Sequence, residues 1–132
     1  MRNMAAAILI TSSALISSGC KEKNIGDTLD RANAGDASAQ FEMGVKYHDL
    51  DRSMTVTAED EKNAFQWYKK AADQGHTMAE FYTGICYLYR LGTPGDDRLA
   101  IGYIMKAADK NCSLAQVKVA ECYTSGYGVV KD

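Results

Sequence analysis

The sequence predicts an all-α fold, a short α-solenoid of antiparallel helix pairs (an α-α superhelix), and three observations carry that prediction. The segment AFQWYKKAADQG at 64–75 matches AIGYIMKAADKN at 100–111, an offset of 36 residues. A second set of segments interleaves with the first: AQFEMG at 39–44 with Tyr47, AEFYTG at 79–84 with Tyr87, and AQVKVA at 115–120 with Tyr123, offset by 40 and 36. Repeats of this length mark stacked helix pairs, each too small to bury its apolar face alone. Finally, the chain has one proline, Pro94, and its Val, Ile and Thr are too scattered to alternate as strands.

Composition narrows the class of partner. With 132 residues, 46% hydrophobic and 24% charged, the chain lies in the globular range and holds one small domain. Fifteen Lys and Arg stand against seventeen Asp and Glu. No basic stripe is present to neutralise phosphates, so nucleic acid is not expected as a partner.

Residues 1–19 read as a signal peptide: Arg2 supplies the positive end, and the apolar run from Ala5 to Ile16 is too short to cross a bilayer. Ser18 and Gly19 directly precede Cys20, which resembles the lipobox of bacterial lipoproteins. That resemblance implies acylation of the Cys20 thiol and cleavage just before it. Ser17 departs from the pattern, which usually has Leu, Val or Ile there; an ordinary signal peptide cut nearby and an uncleaved apolar anchor are the alternatives, and in each case the domain is exported. Residues 20–28 then form the lipid anchor and tether. Lys21 after the cysteine implies sorting, in enteric-type bacteria, to the periplasmic face of the outer membrane. The stretch from Lys21 to Asn24, at roughly 3.5 Å per residue, holds the domain within about 15 Å of the lipid.

The repeat domain occupies 29–132. It opens on half a unit, since residues 27–34 followed by Gly35 read as the tail of a second-type helix. Two full units follow, at 37–75 and 77–111. Each has a first helix, a loop, and a second helix opening at Asp60 or Asp96, where a carboxylate caps free amides. Gly75 and Asn111 close the second helices by taking up a left-handed backbone. The small residues Gly44, Gly84, Ala71, Ala72, Ala107 and Ala108 let helices approach, and Tyr47, Tyr87, Trp67 and Tyr103 fill the space between pairs. The array ends on a single first-type helix, with Asp132 at the cap position of a further second helix. Either that last first-type helix is a natural lid whose tail holds Val129 and Val130, or the coding sequence is truncated, or a partner or second copy supplies the missing face.

This pattern resembles the Sel-one-like repeat, a relative of the tetratricopeptide repeat. NAFQWYKKAADQG at 63–75 carries the second half of its signature, and YTSGYGVVKD at 123–132 carries the loop and cap. Departures are Thr83 for the usual Leu, Arg90 for a loop Gly, Ala120 for the helix Gly, and a longer first loop at 48–59. The resemblance implies an interaction module whose first helices line a concave face. It places there Ser38, Phe41, Val45, His48 and Asp49 from unit one, Met78, Phe81, Ile85, Leu88 and Tyr89 from unit two, and Leu114, Val117, Glu121, Thr124 and Ser125 from unit three. An apolar middle at Phe81, Ile85, Leu88 and Tyr89 with polar edges has the layout of a protein interface. Phe41 and Phe81 also read as packing aromatics of the repeat. The insertion carrying Arg52, Met54 and Val56 reads either as a recognition element or as slack.

Catalytic, metal and cofactor chemistry is not expected. His48 and His76 stand in different units without ligands at metal spacing. Glu59, Asp60, Glu61, Asp96 and Asp97 sit where helices begin and favour the helix dipole. Some cysteine-rich relatives are discussed as β-lactam binders, so a β-lactam-binding or hydrolytic enzyme is the alternative class. The sole Ser-x-x-Lys, Ser18 to Lys21, spans the cleavage point, however. Beyond Cys20, the cysteines are Cys86, Cys112 and Cys122. Cys86 and Cys122 read as small apolar packing, with a Cys86–Cys112 bridge as the alternative. The expected protein is thus a non-enzymatic, lipid-anchored module that holds another exported or periplasmic protein at the outer membrane. Two roles fit: scaffold or adaptor of an envelope complex, or immunity-type inhibitor of a toxin or envelope enzyme such as a phospholipase.

Overall fold

The computed structural model describes residues 25–48 and 56–126. The signal peptide, Cys20, most of the tether, the insertion residues Arg52 and Met54, and the tail with Val129, Val130 and Asp132 lie outside the described residues. Six helices occupy the described residues: α1 (Ile25–Asn33), α2 (Ala37–His48), α3 (Ala58–Asp73), α4 (Thr77–Tyr89), α5 (Asp97–Asp109) and α6 (Ser113–Ser125). Each packs on the next along the chain. This is the short solenoid that the 36-residue period predicts, with α1, α3 and α5 as second-type helices and α2, α4 and α6 as first-type helices.

Helix ends follow local chemistry that recurs with the repeat. Gly35, Gly75 and Asn111 take φ of 103°, 86° and 66°, the left-handed region that stops a helix. At Gly75 the preceding helix closes with paired backbone bonds, from the Gly75 N–H to the Ala72 carbonyl at 2.8 Å and from the His76 N–H to the Ala71 carbonyl at 3.1 Å. The same pair recurs at Gly35 with Asp36 and at Asn111 with Cys112.

The next residue in each case caps a first-type helix, and the three caps differ. The Asp36 carboxylate accepts from the Ser38 and Ala39 N–H groups. His76 Nδ1 accepts from the Ala79 N–H at 3.2 Å, whereas Cys112 makes no side-chain cap bond. Replacing Cys112 with Asp is expected to supply the missing acceptor and raise the unfolding free energy by about 1 kcal/mol. A higher urea midpoint at unchanged slope would register the gain.

Among the second-type helices, α5 opens as expected, with the Asp96 carboxylate accepting from the Leu99 N–H at 2.9 Å. Helix α3 does not open on Asp60. Its N-cap is Thr57, whose hydroxyl oxygen accepts from the Asp60 N–H, and the Asp60 carboxylate accepts in return from the Thr57 N–H at 3.0 Å. Aligning Asp60 with Asp96 overlooked a hydroxyl three residues earlier that completes a capping box, so the helix starts sooner and the first loop is shorter.

Close approach between helices depends on two glycines. A Cβ at Gly44 would stand 2.5 Å from the Tyr68 ring, and one at Gly84 would stand 2.9 Å from the Ala100 carbonyl oxygen and collide with Ile104. Tyr68 and Ile104, 36 residues apart, are the largest fully buried side chains. Tyr68 stacks on Tyr82 with centroids 5.3 Å apart and meets Phe41 at 5.7 Å. Tyr87 stacks on Tyr103 at 5.8 Å, filling the space between pairs as the sequence suggests.

A polar clamp ties consecutive second-type helices together, in two chemical versions. Gln74 Nε2 donates to the Gly35 carbonyl at 2.9 Å and to Gln40 Oε1 at 2.8 Å. One repeat later Lys110 Nζ donates to the Gly75 carbonyl at 2.8 Å and to Glu80 Oε1 at 2.9 Å. Cys86, Cys112 and Cys122 are all free. Cys86 and Cys122 sit in separate apolar clusters and Cys112 lies beside Met78, so the Cys86–Cys112 bridge is not formed. Burial pushes the Cys86 thiol up to about 12, which keeps it protonated and unreactive.

Candidate protein-interaction surface

The first-type helices touch one another directly, and these contacts build a continuous face. Phe41 of α2 meets Tyr82 of α4 at 5.8 Å, and Tyr89 of α4 meets Lys118 of α6. The Lys118 ammonium donates to the Tyr89 hydroxyl at 3.4 Å, lies 5.7 Å from the ring centroid, and pairs with Glu121 Oε2 at 2.6 Å. The bond to Glu121, despite some desolvation, holds the Lys118 pKa above its ordinary value. Val45 and Tyr89 are exposed along this face, Tyr89 to 53%, and Ile85 is half-buried; Leu114 and Val117 of α6 are exposed as well, Val117 to 59%.

Of the other residues the sequence assigns to this face, Glu121 is exposed, and Phe41, His48 and Met78 are half-buried. His48 sits edge-on to Tyr68. Phe81 and Leu88 are corrections, being 7% and 4% exposed and packed in one cluster with Ala100, Ile101 and Ile104. They share the helical stripe of Gly84, and that glycine brings α5 against the whole stripe. Lys118 escaped sequence reasoning because its repeat equivalents are Tyr82 and Glu42, which share none of its chemistry. Its spacing to Glu121 was the available signal.

His76 supports the same face from below. Its ring stacks on Phe41 at 4.8 Å while its Nδ1 caps α4. Desolvation by burial lowers its pKa from the ordinary 6.5, so the folded chain binds fewer protons than the unfolded one. Its contribution to stability is therefore complete above pH 6.5 and is lost as pH falls below that value toward the lower folded pKa. Urea unfolding at pH 7.5 and 5.5 should show this loss in the native chain. His76→Ser, which keeps a cap acceptor, is expected to be much less sensitive to pH.

Elsewhere, a shallow cleft of about 480 Å³ is lined by Asp73, Tyr103, Lys106 and the clamp residues Glu80 and Lys110. Its buried carboxylate is already committed to Lys110. Among the described residues no group of three or more His, Cys, Asp or Glu side chains converges as metal ligands. No described helix is long and apolar enough to cross a membrane.

Paired helices stacked in register, with an open face of mixed aromatic, aliphatic and charged residues, define a helical-repeat scaffold. The chain belongs to the Sel1 repeat family, whose pattern matches residues 37–76, 77–112 and 113–132. Members of this family are generally non-catalytic protein-interaction modules. The chain is similar to a crystallised protective antigen with an SLR fold, present in uropathogenic Escherichia coli strains, with a TM-score of 0.77 and 33% identity. That alignment covers 90% of this chain and 26% of the antigen, so the chain spans about a quarter of the antigen's length. It is also similar to a Sel1 repeat protein from Oxalobacter formigenes, with a TM-score of 0.73 and 26% identity over 85% of this chain and 82% of the other. A comparison with curated proteins finds no match.

Proposed function

We propose that this protein captures one exported protein on the face formed by α2, α4 and α6, while an acylated Cys20 holds it at the periplasmic face of the outer membrane. The observation that supports this reading best is the run of Val45, Ile85 and Tyr89 beside the Lys118–Glu121 pair. Tyr89 is the natural anchor, a large ring half in solvent with its hydroxyl already oriented. A face of this size offers about 800 Å² a side, the area of one ordinary interface. That area suits an inhibitor of a single periplasmic toxin or enzyme better than an adaptor that gathers several proteins.

Two substitutions test the two halves of the proposal. Cys20→Ser should move the protein from the membrane to the soluble periplasmic fraction; unchanged retention would refute the lipid anchor. Val45→Asp combined with Tyr89→Ala should weaken partner capture by tenfold or more, on the order of 2 kcal/mol, with the helical circular dichroism unchanged. Undiminished capture by the folded double variant would remove this face from the account.

A further inference from the structure

The N-terminal turns of α4 and α6 meet through sulfur. Cys112, the N-cap residue of α6, donates its thiol proton to the Met78 thioether, with Sγ and Sδ 3.9 Å apart, and both side chains are half-buried. Repeat packing does not call for this pair, because the same two positions at the preceding junction hold Ser38 and His76. Helix capping does not call for it either. Cys112 makes no side-chain cap bond, whereas Asp36 and His76 both accept amides of the helices they open.

What the two sulfurs share is softness. A thiolate and a thioether suit cuprous copper, while magnesium, calcium and manganese take oxygen. Zinc asks for three or four Cys, His or carboxylate donors, and no group of three such side chains converges among the described residues. The neighbouring imidazole is committed elsewhere, His76 having its Nδ1 on the Ala79 N–H and its ring on Phe41. An ion bonded to both sulfurs at about 2.3 Å, the usual metal–thiolate length, would subtend about 115° between them at the present separation. That angle is close to trigonal. The S–H···S bond already turns a thioether lone pair toward the thiol, so the ion takes the place of the shared proton, which leaves to solvent. The charge left on Sγ would face the first-turn N–H groups of α6, to which no cap side chain now bonds.

We propose that Met78 and Cys112 bind one cuprous ion across the first turns of α4 and α6. The Cys112 thiolate and the Met78 thioether are its two donors within the chain, and the third position of a trigonal set stays open to a donor from another molecule. A site of that kind hands an ion on rather than locking it away. Met78 and Tyr89 stand at opposite ends of α4, about 16 Å apart along its axis, so the ion site and the proposed capture of a protein can each fail alone.

The test uses the reduced full chain carrying Cys20→Ser, which removes the thiol outside the repeats, and adds Cu(I) under nitrogen in competition with a bathocuproine chelator. One equivalent of copper per chain is expected. Cys112→Ser should abolish retention, and Met78→Leu should weaken it by about tenfold or more. Met105→Leu, which removes an exposed thioether of α5, should leave it unchanged. X-ray absorption should place two sulfurs at about 2.3 Å from the copper. Serine is a good N-cap and leucine keeps the volume of methionine, and circular dichroism checks that the variants fold. Absence of binding overturns the proposal, as does copper retained equally by Cys112→Ser or by Met78→Leu. Half an equivalent per chain, meaning a Cys112 bridge between two copies, would overturn it too, as would zinc held in preference to copper.

Discussion

Replacing Tyr68 with alanine is expected to lower the unfolding free energy by about 3–5 kcal/mol, a large part of what a small domain has. The ring lies at the meeting point of α2, α3 and α4, in contact with Phe41, Tyr82 and His48. Its removal opens a cavity that cannot easily close, because the wall opposite is the bare backbone of Gly44. The stacked Tyr82 and the tilted Phe41 lose their partner together. Tyr68→Phe keeps the ring and forfeits only the hydroxyl, which lies 3.5 Å from His48 Nδ1, so it should cost about 1 kcal/mol. Urea unfolding followed by circular dichroism separates the two variants. A loss under 1 kcal/mol for the alanine variant would mean that this junction does not hold the first two units together.

The second large effect is expected at the charged clamp. Glu80 is buried, its side chain 5% exposed, and Lys110 supplies its counter-charge from the surface. Lys110→Met should therefore strand a buried carboxylate and cost about 2–3 kcal/mol, less than a fully buried pair because the lysine itself is partly in water. The chain also contains the remedy. Glu80→Gln with Lys110→Gln reproduces the neutral Gln40–Gln74 pair found one repeat earlier, and the double variant should fall within about 1 kcal/mol of the native chain. A double variant as unstable as Lys110→Met alone would show that charge, rather than hydrogen-bond satisfaction, holds this junction.

Most of the architecture was legible because each repeat is a translated copy of the last. Gly75 and Asn111 as helix stops, Gly44 and Gly84 as notches, and the half-unit before Gly35 all follow from alignment and backbone preference. The misreadings fall where neighbouring copies differ. Asp60 was aligned with Asp96, and Thr57 with Thr93, yet α3 caps on Thr57 while α5 caps on Asp96 itself, Pro94 and Gly95 standing where α3 has Ala58 and Glu59. Phe81 and Leu88 were placed on the open face because a helical stripe in sequence does not say how far a small residue lets the next helix wrap around it. Lys118 was invisible because its meaning comes from Tyr89 on a neighbouring helix. Val117 was assigned to the open face, but its repeat position is the one that α5 covers at Phe81.

The central claim is that the side of the solenoid formed by α2, α4 and α6 grips the partner while the side formed by the second-type helices does not. Photo-cross-linking in the producing cell tests this most directly, with the cross-linker placed at Val45 or Tyr89 on one side and at the exposed Met105 of α5 on the other. An adduct of one fixed mass from Val45 and Tyr89, absent from Met105, is the expected result. The same adduct from Met105, with none from Val45 or Tyr89, would contradict the account.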